Sequence, residues 1–503
     1  MKIAKNIFSN LVSKVWSLLA TLIFVPKYVE ILGIDNFGII SLASVISTVL
    51  LVLEGGLTTS ISREFAREDC DIQHKIKSHH TVEALYVKVF LLLAIVVVTL
   101  NICGVFDRVL DITTNGLNPK YYIYILLIGI GAEIFFRLHI GALMGLQKQV
   151  KANLLLVLWG IMRNAVVVLV ISLKSALVLF FLWQSFVTVL FVFVARWVLL
   201  NGLGSRSFSA TPLQVDRVIL KSLKGFAGGM FLIALISVLT TQFDKLLVAR
   251  YLSITELGYY SLATSAAMLV YMIVSPISTA FLPKFIKLVT QKRSKDLVTL
   301  FEVTNVFVVL SSCCFLSHVI VYSESLIFFW TKDYHLTKEI MKIFPGIVIG
   351  YTMISIQVIA FNVVVANGKT RINNYMGLIT LLIIVFTYPF VLNNFGVKGL
   401  AYFFAVLMTV QTAFYVFIVR RLFLPEISTI SFLSKHFIVP SIGILGTTLA
   451  FKSVRLFFIE DESDIQNVLF IIVSVLCSFL FSSLLAYSFF RKYRLRSFYE
   501  AIN

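Results

Sequence analysis

Apolar stretches of about 20 residues follow one another from one end of this 503-residue chain to the other, each long enough to cross a hydrocarbon core of about 30 Å as a helix. Backbone placed in hydrocarbon has no water to bond, so it must close its hydrogen bonds within helices or a sealed barrel. The runs are continuous and do not alternate in segments of about ten residues, which selects helices over an outer-membrane barrel. Hydrophobic residues make up 59% and charged residues 14%, where a soluble domain carries roughly 45–50% and about 25%. The longest gap between apolar runs is about 25 residues, too short to bury a core of its own. Any chemistry is therefore expected within the bilayer or at its edges, which argues against a two-domain membrane enzyme and a nucleotide-driven pump.

Marking each run by its charged or Pro/Gly flanks predicts fourteen helices, starting near residues 8, 37, 85, 121, 153, 175, 225, 257, 300, 343, 373, 399, 436 and 465. Lys2 and Lys5 precede a run longer than a signal-peptide core with no convincing small-x-small cleavage site, so it reads as an uncleaved first span. With the N-terminus cytoplasmic, Lys and Arg collect in alternate loops, from Arg63 and Arg67 through Lys148 and Lys151 to the tail Arg491, Lys492, Arg494 and Arg496. Acidic groups such as Asp107, Asp111, Glu460 and Asp461 fall on the other side. Both termini are thus expected in the cytoplasm, and twelve helices would keep them together equally well. The same bias accounts for a net charge of +18 without a nucleic-acid partner.

The five cysteines, Cys70, Cys103, Cys313, Cys314 and Cys477, show no CxxC or zinc spacing and are assigned no disulfide and no metal; no cofactor is expected. Gly368-Lys369-Thr370 is not a phosphate loop, because Val363 stands where that loop needs glycine and no strand precedes it.

An internal repeat is visible. Leu32 to Ala43 aligns with Leu252 to Ala263 at an offset of 220, with six of twelve positions identical. Lys148 and Asn153 match Lys369 and Asn374 at an offset of 221. An even number of spans separates the copies, so the halves share one orientation and are expected as two pseudo-symmetric six-helix lobes about an axis along the membrane normal. The lobes are placed at 1–205 and 206–424, with two further helices and a basic tail at 425–503. The expected fold class is an all-α polytopic membrane protein of about fourteen transmembrane helices.

Pro26, Tyr28, Leu32-Gly33 and Phe37-Gly38, followed by Glu54-Gly55-Gly56-Leu57 and Arg63, resemble the opening of bacterial polysaccharide-repeat flippases, the O-antigen translocases. Gly145-Leu146-Gln147-Lys148-Gln149, Phe243-Asp244-Lys245 with Leu257-Gly258-Tyr259-Tyr260, and Gly396-Val397-Lys398-Gly399-Leu400-Ala401 are similar to later segments of that family. Many members carry Asp where this chain has Glu54. The family belongs to the multidrug/oligosaccharidyl-lipid/polysaccharide exporter superfamily. The resemblance implies movement of an undecaprenyl-pyrophosphate-linked oligosaccharide from the inner to the outer leaflet of the bacterial plasma membrane, driven by an ion gradient. Implied partners are that lipid-linked oligosaccharide, membrane lipid, and a polysaccharide polymerase with its chain-length regulator; the chain is expected to be a monomer.

Charges at membrane depth are costly and should face water or a partner. The predicted spans hold Lys14, Lys27, Lys88, Arg137, Arg163, Arg196 and Lys245 against Glu54, Glu133, Asp244 and Glu302. Lys27, Lys88, Arg196 and Glu302 lie near helix ends and are read as snorkelling. Arg163, mid-helix, is the leading candidate for a diphosphate, since a guanidinium presents a fork of donors that matches phosphate; its alternative is a buried ion pair. Glu133 and Arg137 stand four apart, the spacing of a pair on one face, or else Arg137 faces the cavity while Glu133 tunes it or titrates. Lys14 is a third substrate-binding candidate, with snorkelling as the alternative. Asp244, Glu133 and Glu54 are the ion-coupling candidates, and Pro276, Gly228 and Gly229 the hinge candidates. His139 and His318 read as satisfied interior histidines. Tyr259, Tyr260, Tyr271, Trp159 and Trp183 are packing residues or sugar-stacking surfaces.

Three functions are weighed: an alternating-access flippase with a basic cavity, an extruder of organic cations with an acidic one, and a membrane-embedded polysaccharide polymerase. The basic excess favours the first, and an enzyme is not expected.

Overall fold

The computed structural model describes residues 2–54, 56–67, 71–104, 119–203, 215–425, 439–458 and 465–490. Among the described residues the regular structure is helical, and eleven segments are long and apolar enough to cross a membrane. One of them, Arg371–Phe423, is a single run of hydrogen-bonded turns broken at Gly396 (φ 62°, ψ −162°), a conformation open to glycine. That break separates the helices expected near 373 and 399.

The first eight helices are α1 (Lys2–Leu32), α2 (Ile34–Leu51), α3 (Leu57–Ala66), α4 (Ile72–Ile102), α5 (Pro119–Gly145), α6 (Gln149–Leu173), α7 (Leu177–Gly202) and α8 (Arg217–Tyr251). Several begin earlier than the apolar runs suggest. The helix expected near 85 starts at Ile72, where the Asp71 carboxylate accepts the His74 N–H at 2.7 Å. The one expected near 225 starts at Arg217, where Asp216 accepts from Val218 and Ile219. An apolar run marks the edge of the hydrocarbon, whereas the helix continues into the headgroup layer until a capping side chain satisfies its first N–H groups. Conversely, the helix expected from residue 37 is interrupted: a 3-10 turn at Val52–Glu54 and a left-handed Gly56 (φ 68°) separate α2 from α3.

By contact the chain divides into Met1–Gly258 and Tyr259–Asn503. In the first unit α1 packs on α6, α5 lies between α3 and α7, and α8 packs on α2, α3 and α4. Ile61, Phe65, Val82, Leu138, Leu143 and Ala195 form the centre of its core. The repeat has a structural counterpart here. A Cβ on Gly38 would fall 2.1 Å from the Ile254 carbonyl oxygen, and one on Gly258 would fall 2.7 Å from that of Ile34. Positions 34 and 254, and 38 and 258, are equivalent in the repeat, so these close approaches pair equivalent positions within the first unit. The Thr255 hydroxyl donates to Asp35 at 2.6 Å, again between equivalent positions.

The second unit holds most of α9 (Ile254–Ala267) and then α10 (Leu269–Thr290), α11 (Ser294–Val321), α12 (Ser323–Thr331), α13 (Tyr334–Met341), α14 (Phe344–Ala366), α15 (Arg371–Phe423), α16 (Val439–Phe458) and α17 (Ile465–Phe490). Here α14 packs on α10, α11 and α15, and α16 and α17 pack on each other and on α11. The buried His318 on α11 is bonded to the Cys314 carbonyl oxygen at 2.8 Å, beside Ser317 and Thr448, in keeping with an interior histidine that has its partners.

Candidate functional site

The i, i+4 spacing on α5 places Glu133 and Arg137 side by side. Glu133 Oε1 accepts from Arg137 Nη2 at 2.8 Å and Nε at 3.2 Å. The packing of α6 on α5 then brings Arg163 to the other carboxylate oxygen, with Nη1 donating to Oε2 at 3.1 Å. Both readings of these residues therefore meet in one cluster: Arg163 is ion-paired, but it shares its carboxylate with a second guanidinium. Arg163 is fixed further by the Gln184 amide oxygen on α7, to which its Nε donates, and by the Trp159 ring, 4.7 Å from its guanidinium carbon. Trp159 is held in turn by its N–H to Thr188 at 3.3 Å, and the Gln184 amide returns a bond to the Arg163 carbonyl oxygen.

Glu133 is nearly buried, while the side chains of Arg163 and Arg137 are 28% and 50% exposed. Arg163 Nη2 and Arg137 Nη1 have no hydrogen-bond partner among the described residues, so each guanidinium keeps a donor for a ligand. The cluster opens on a cavity of about 340 Å³ lined by Glu54, Thr58, Arg137, Ile140, Leu156 and Trp159. A second cavity of about 320 Å³ lies between α1 and α6, lined by Ser13, Trp16, Ser17, Tyr28, Trp159 and Asn164 among others. Leu156 and Trp159 border both. The break between α2 and α3 is what turns Glu54 and Thr58 toward the first cavity, as discontinuous helices do at the binding sites of other transporters.

Arg163, Arg137, Glu133 and Glu54 are thus gathered in the first unit. Lys14 lies on α1, with its side chain outside the described residues. Asp244 is on α8, where its carboxylate accepts the Lys245 N–H at 2.8 Å, and neither it nor Lys245 lines these cavities. Pro276 is inside α10 in the second unit; Gly228 is exposed on α8 with open space around it, and Gly229 follows it on the same helix. Tyr260 is fully buried and serves packing, and the Trp183 N–H is bound to the Met162 carbonyl oxygen at 2.8 Å.

Arg196 corrects the snorkelling expectation. Its side chain is 13% exposed and its Nε lies 3.3 Å from Glu83 Oε1. Glu83 stands two residues ahead of the predicted helix start near 85 and is buried on α4. Gln184, Thr58 and Asn164 also escaped the sequence reading. The sequence signal for Gln184 is an amide that follows the apolar run Leu177 to Trp183.

A family model for polysaccharide biosynthesis proteins matches residues 3–289, and a MatE family model matches residues 230–390. No protein of curated function matches the chain. Among solved structures, the fold is similar to the lipid II flippase MurJ in an inward closed conformation, with a TM-score of 0.70 and 14% identity over 96% of this chain and 98% of that one. It is also similar to a multidrug resistance MATE family transporter of the MOP superfamily in its inward-facing conformation, with a TM-score of 0.63 and 15% identity over 81% and 94% of the two chains. The MATE multidrug transporter DinF-BH gives a TM-score of 0.59 and 15% identity over 84% and 95%. With the first family model covering more than half of the chain and every member of the Arg137–Glu133–Arg163 cluster, this chain belongs to the polysaccharide biosynthesis protein family.

Proposed function

We propose that the protein flips an undecaprenyl-pyrophosphate-linked oligosaccharide from the inner to the outer leaflet of the bacterial plasma membrane by alternating access, coupled to an ion gradient, in the synthesis of O-antigen or another surface polysaccharide. The observation that carries this reading is two guanidiniums sharing one carboxylate, each with a donor left over and one of them, Arg137, lining a cavity. In a site sheltered from water, charge-assisted bonds from such donors to phosphate oxygens are strong, and a diphosphate offers enough oxygens to engage both arginines. Glu133 then acts as the resident anion: it keeps the arginines in place before the ligand arrives and competes with it for release. The hydroxyls of Ser13 and Ser17, the Asn164 amide and the faces of Trp16 and Trp159 suit a glycan, which is polar at its edges and apolar on its ring faces.

Glu54 and Glu133, with Asp244, are the carboxylates assigned to ion coupling, and Pro276, Gly228 and Gly229 the hinges. The lobes at 1–205 and 206–424, the pair of helices after 425, the fourteen-helix count and the cytoplasmic termini complete the proposal, with a polymerase and its chain-length regulator as functional partners of a monomer.

The Glu54 carboxylate lines the same cavity and Glu133 stands behind Arg137, which favours a second reading as an extruder of organic cations. Double replacement of Arg137 and Arg163 by Gln separates the two. A flippase loses surface polysaccharide and accumulates single lipid-linked repeats on the inner leaflet at normal expression. Full polymer, together with drug resistance on overexpression, would overturn the flippase reading.

A further inference from the structure

The early turns of α4 carry His79, His80 and Glu83, and Glu83, four positions after the first and three after the second, is a helical neighbour of both histidines. One oxygen of Glu83, Oε2, lies 3.2 Å from His80 Nδ1 and 3.6 Å from His79 Nδ1. The other, Oε1, faces His139 Nε2 on α5 at 3.8 Å and Arg196 Nε on α7 at 3.3 Å. His79 Nε2 and His139 Nδ1 are 3.0 Å apart, with the rings stacked. His79, Glu83 and His139 are buried, whereas the His80 side chain keeps 14% of its surface exposed and marks the way in.

Proton placement in this group is over-determined. Only one hydrogen can sit between His79 and His139. If His79 donates it, His79 Nδ1 turns a lone pair toward Glu83 Oε2. If His139 donates it, His139 Nε2, which has no hydrogen-bond partner, turns a lone pair toward Oε1. Either neutral tautomer sets a nitrogen lone pair against a carboxylate oxygen in a buried place, which a cation between them would relieve. In the first arrangement, with His80 carrying its hydrogen on Nε2, His79 Nδ1, His80 Nδ1 and Glu83 Oε2 all offer lone pairs, and one ligand atom from each residue lies within 4.8 Å of the other two. The 3.2 and 3.6 Å separations to Oε2 are near the roughly 3.4 Å between ligand atoms that each lie about 2.0–2.2 Å from a tetrahedral zinc-like ion.

We propose that His79, His80 and Glu83 bind a late first-row divalent metal ion, with His139 and Arg196 as positioning residues. Two imidazoles and a carboxylate suit Zn²⁺, Co²⁺ or Ni²⁺ and not Mg²⁺ or Ca²⁺, which prefer oxygen ligands throughout. The His79 Nε2–H bond to His139 fixes the tautomer that aims Nδ1 at the ion, and Arg196 steadies the carboxylate through its second oxygen. Three protein ligands leave a position for water. The ion would brace α4 to α5 and α7 through His139 and Arg196. This inference is independent of the flippase reading.

The test uses the full chain in detergent, purified through a tag free of histidine, stripped with chelator and titrated with Zn²⁺, Co²⁺ and Mg²⁺. Wild type should take up one Zn²⁺ per chain, show d–d absorption with Co²⁺ and ignore Mg²⁺. His80→Ala, at the least buried ligand, should melt like stripped wild type yet lose at least about tenfold in affinity. His139→Gln, which touches no metal, should lose about 10- to 100-fold. Zn²⁺ should raise the melting temperature of wild type and leave that of His80→Ala unchanged. His80→Asn replaces the alanine variant if the latter does not fold. Stripped wild type that takes up no Zn²⁺ in excess, or a His80 variant that binds as tightly as wild type, overturns the proposal.

Discussion

Replacing Glu133 by Gln preserves shape and removes the charge on which Arg137 and Arg163 both rest. A guanidinium and a carboxylate with centres about 4 Å apart attract by about 4 kcal/mol at an effective dielectric of about 20. For Arg137, half exposed, solvent screens most of this, and its share falls toward the 0–1 kcal/mol or so of a surface pair. Arg163 is 28% exposed and is clamped by Gln184 and Trp159, so it cannot swing into water to recover its solvation. The new amide accepts from one guanidinium and turns its NH₂ toward the other, donor against donor. Together these give an expected loss of about 2–4 kcal/mol, below the 3–5 kcal/mol of a fully buried pair in proportion to the exposure. Reversible unfolding in mixed micelles measures it, and a double-mutant cycle divides it. The coupling of Glu133→Gln with Arg163→Gln should be about 1–3 kcal/mol and that with Arg137→Gln below about 1 kcal/mol. A total loss below about 0.5 kcal/mol, or the reverse order of couplings, would refute the assignment of Glu133 as the anchor of both arginines.

Gly38→Ala should destabilise by about 1–3 kcal/mol and more than Gly258→Ala, because its Cβ meets a backbone oxygen at 2.1 Å against 2.7 Å; equal melting temperatures for the two variants would count against these close approaches. Gly396→Ala has open space around it and should lose about 1–3 kcal/mol from backbone conformation alone, read by the same unfolding assay. The Asp216 carboxyl is held below the usual carboxylate range by its bond to Lys77 and by the amides it caps. A depressed folded pKa contributes stability above the unfolded value near 3.9 and loses it as pH falls through the folded value. Hydrogen exchange at Val218 and Ile219 should therefore accelerate selectively as the medium is acidified below about pH 4, and in Asp216→Asn that acid-dependent step should be absent.

The helices, their membrane habit and the repeat were legible in the chain because each follows from local regularity: unbroken apolar runs, a fixed offset of 220, and the four-residue spacing that pairs Glu133 with Arg137. Helix ends were read less well. Hydropathy locates hydrocarbon, and so it missed the capped turns that carry His79, His80 and Glu83 ahead of the apolar run of α4. It also missed the interruption at Gly56, which depends on a backbone angle and not on hydrophobicity.

What the sequence by itself determined is therefore an all-helical membrane protein built from a repeated unit, with a surplus of basic groups at membrane depth. What only the tertiary structure decided is the partner of each charge: Arg163 on the carboxylate already held by Arg137, and Arg196 folded back onto a buried Glu83 when it was expected to reach outward. Neighbours along one helix are fixed by its 3.6-residue period, but contacts between α5, α6 and α7 depend on the rotation and crossing of each helix. Those are set by the packing of many small and large side chains at once, and no single spacing in the chain encodes them.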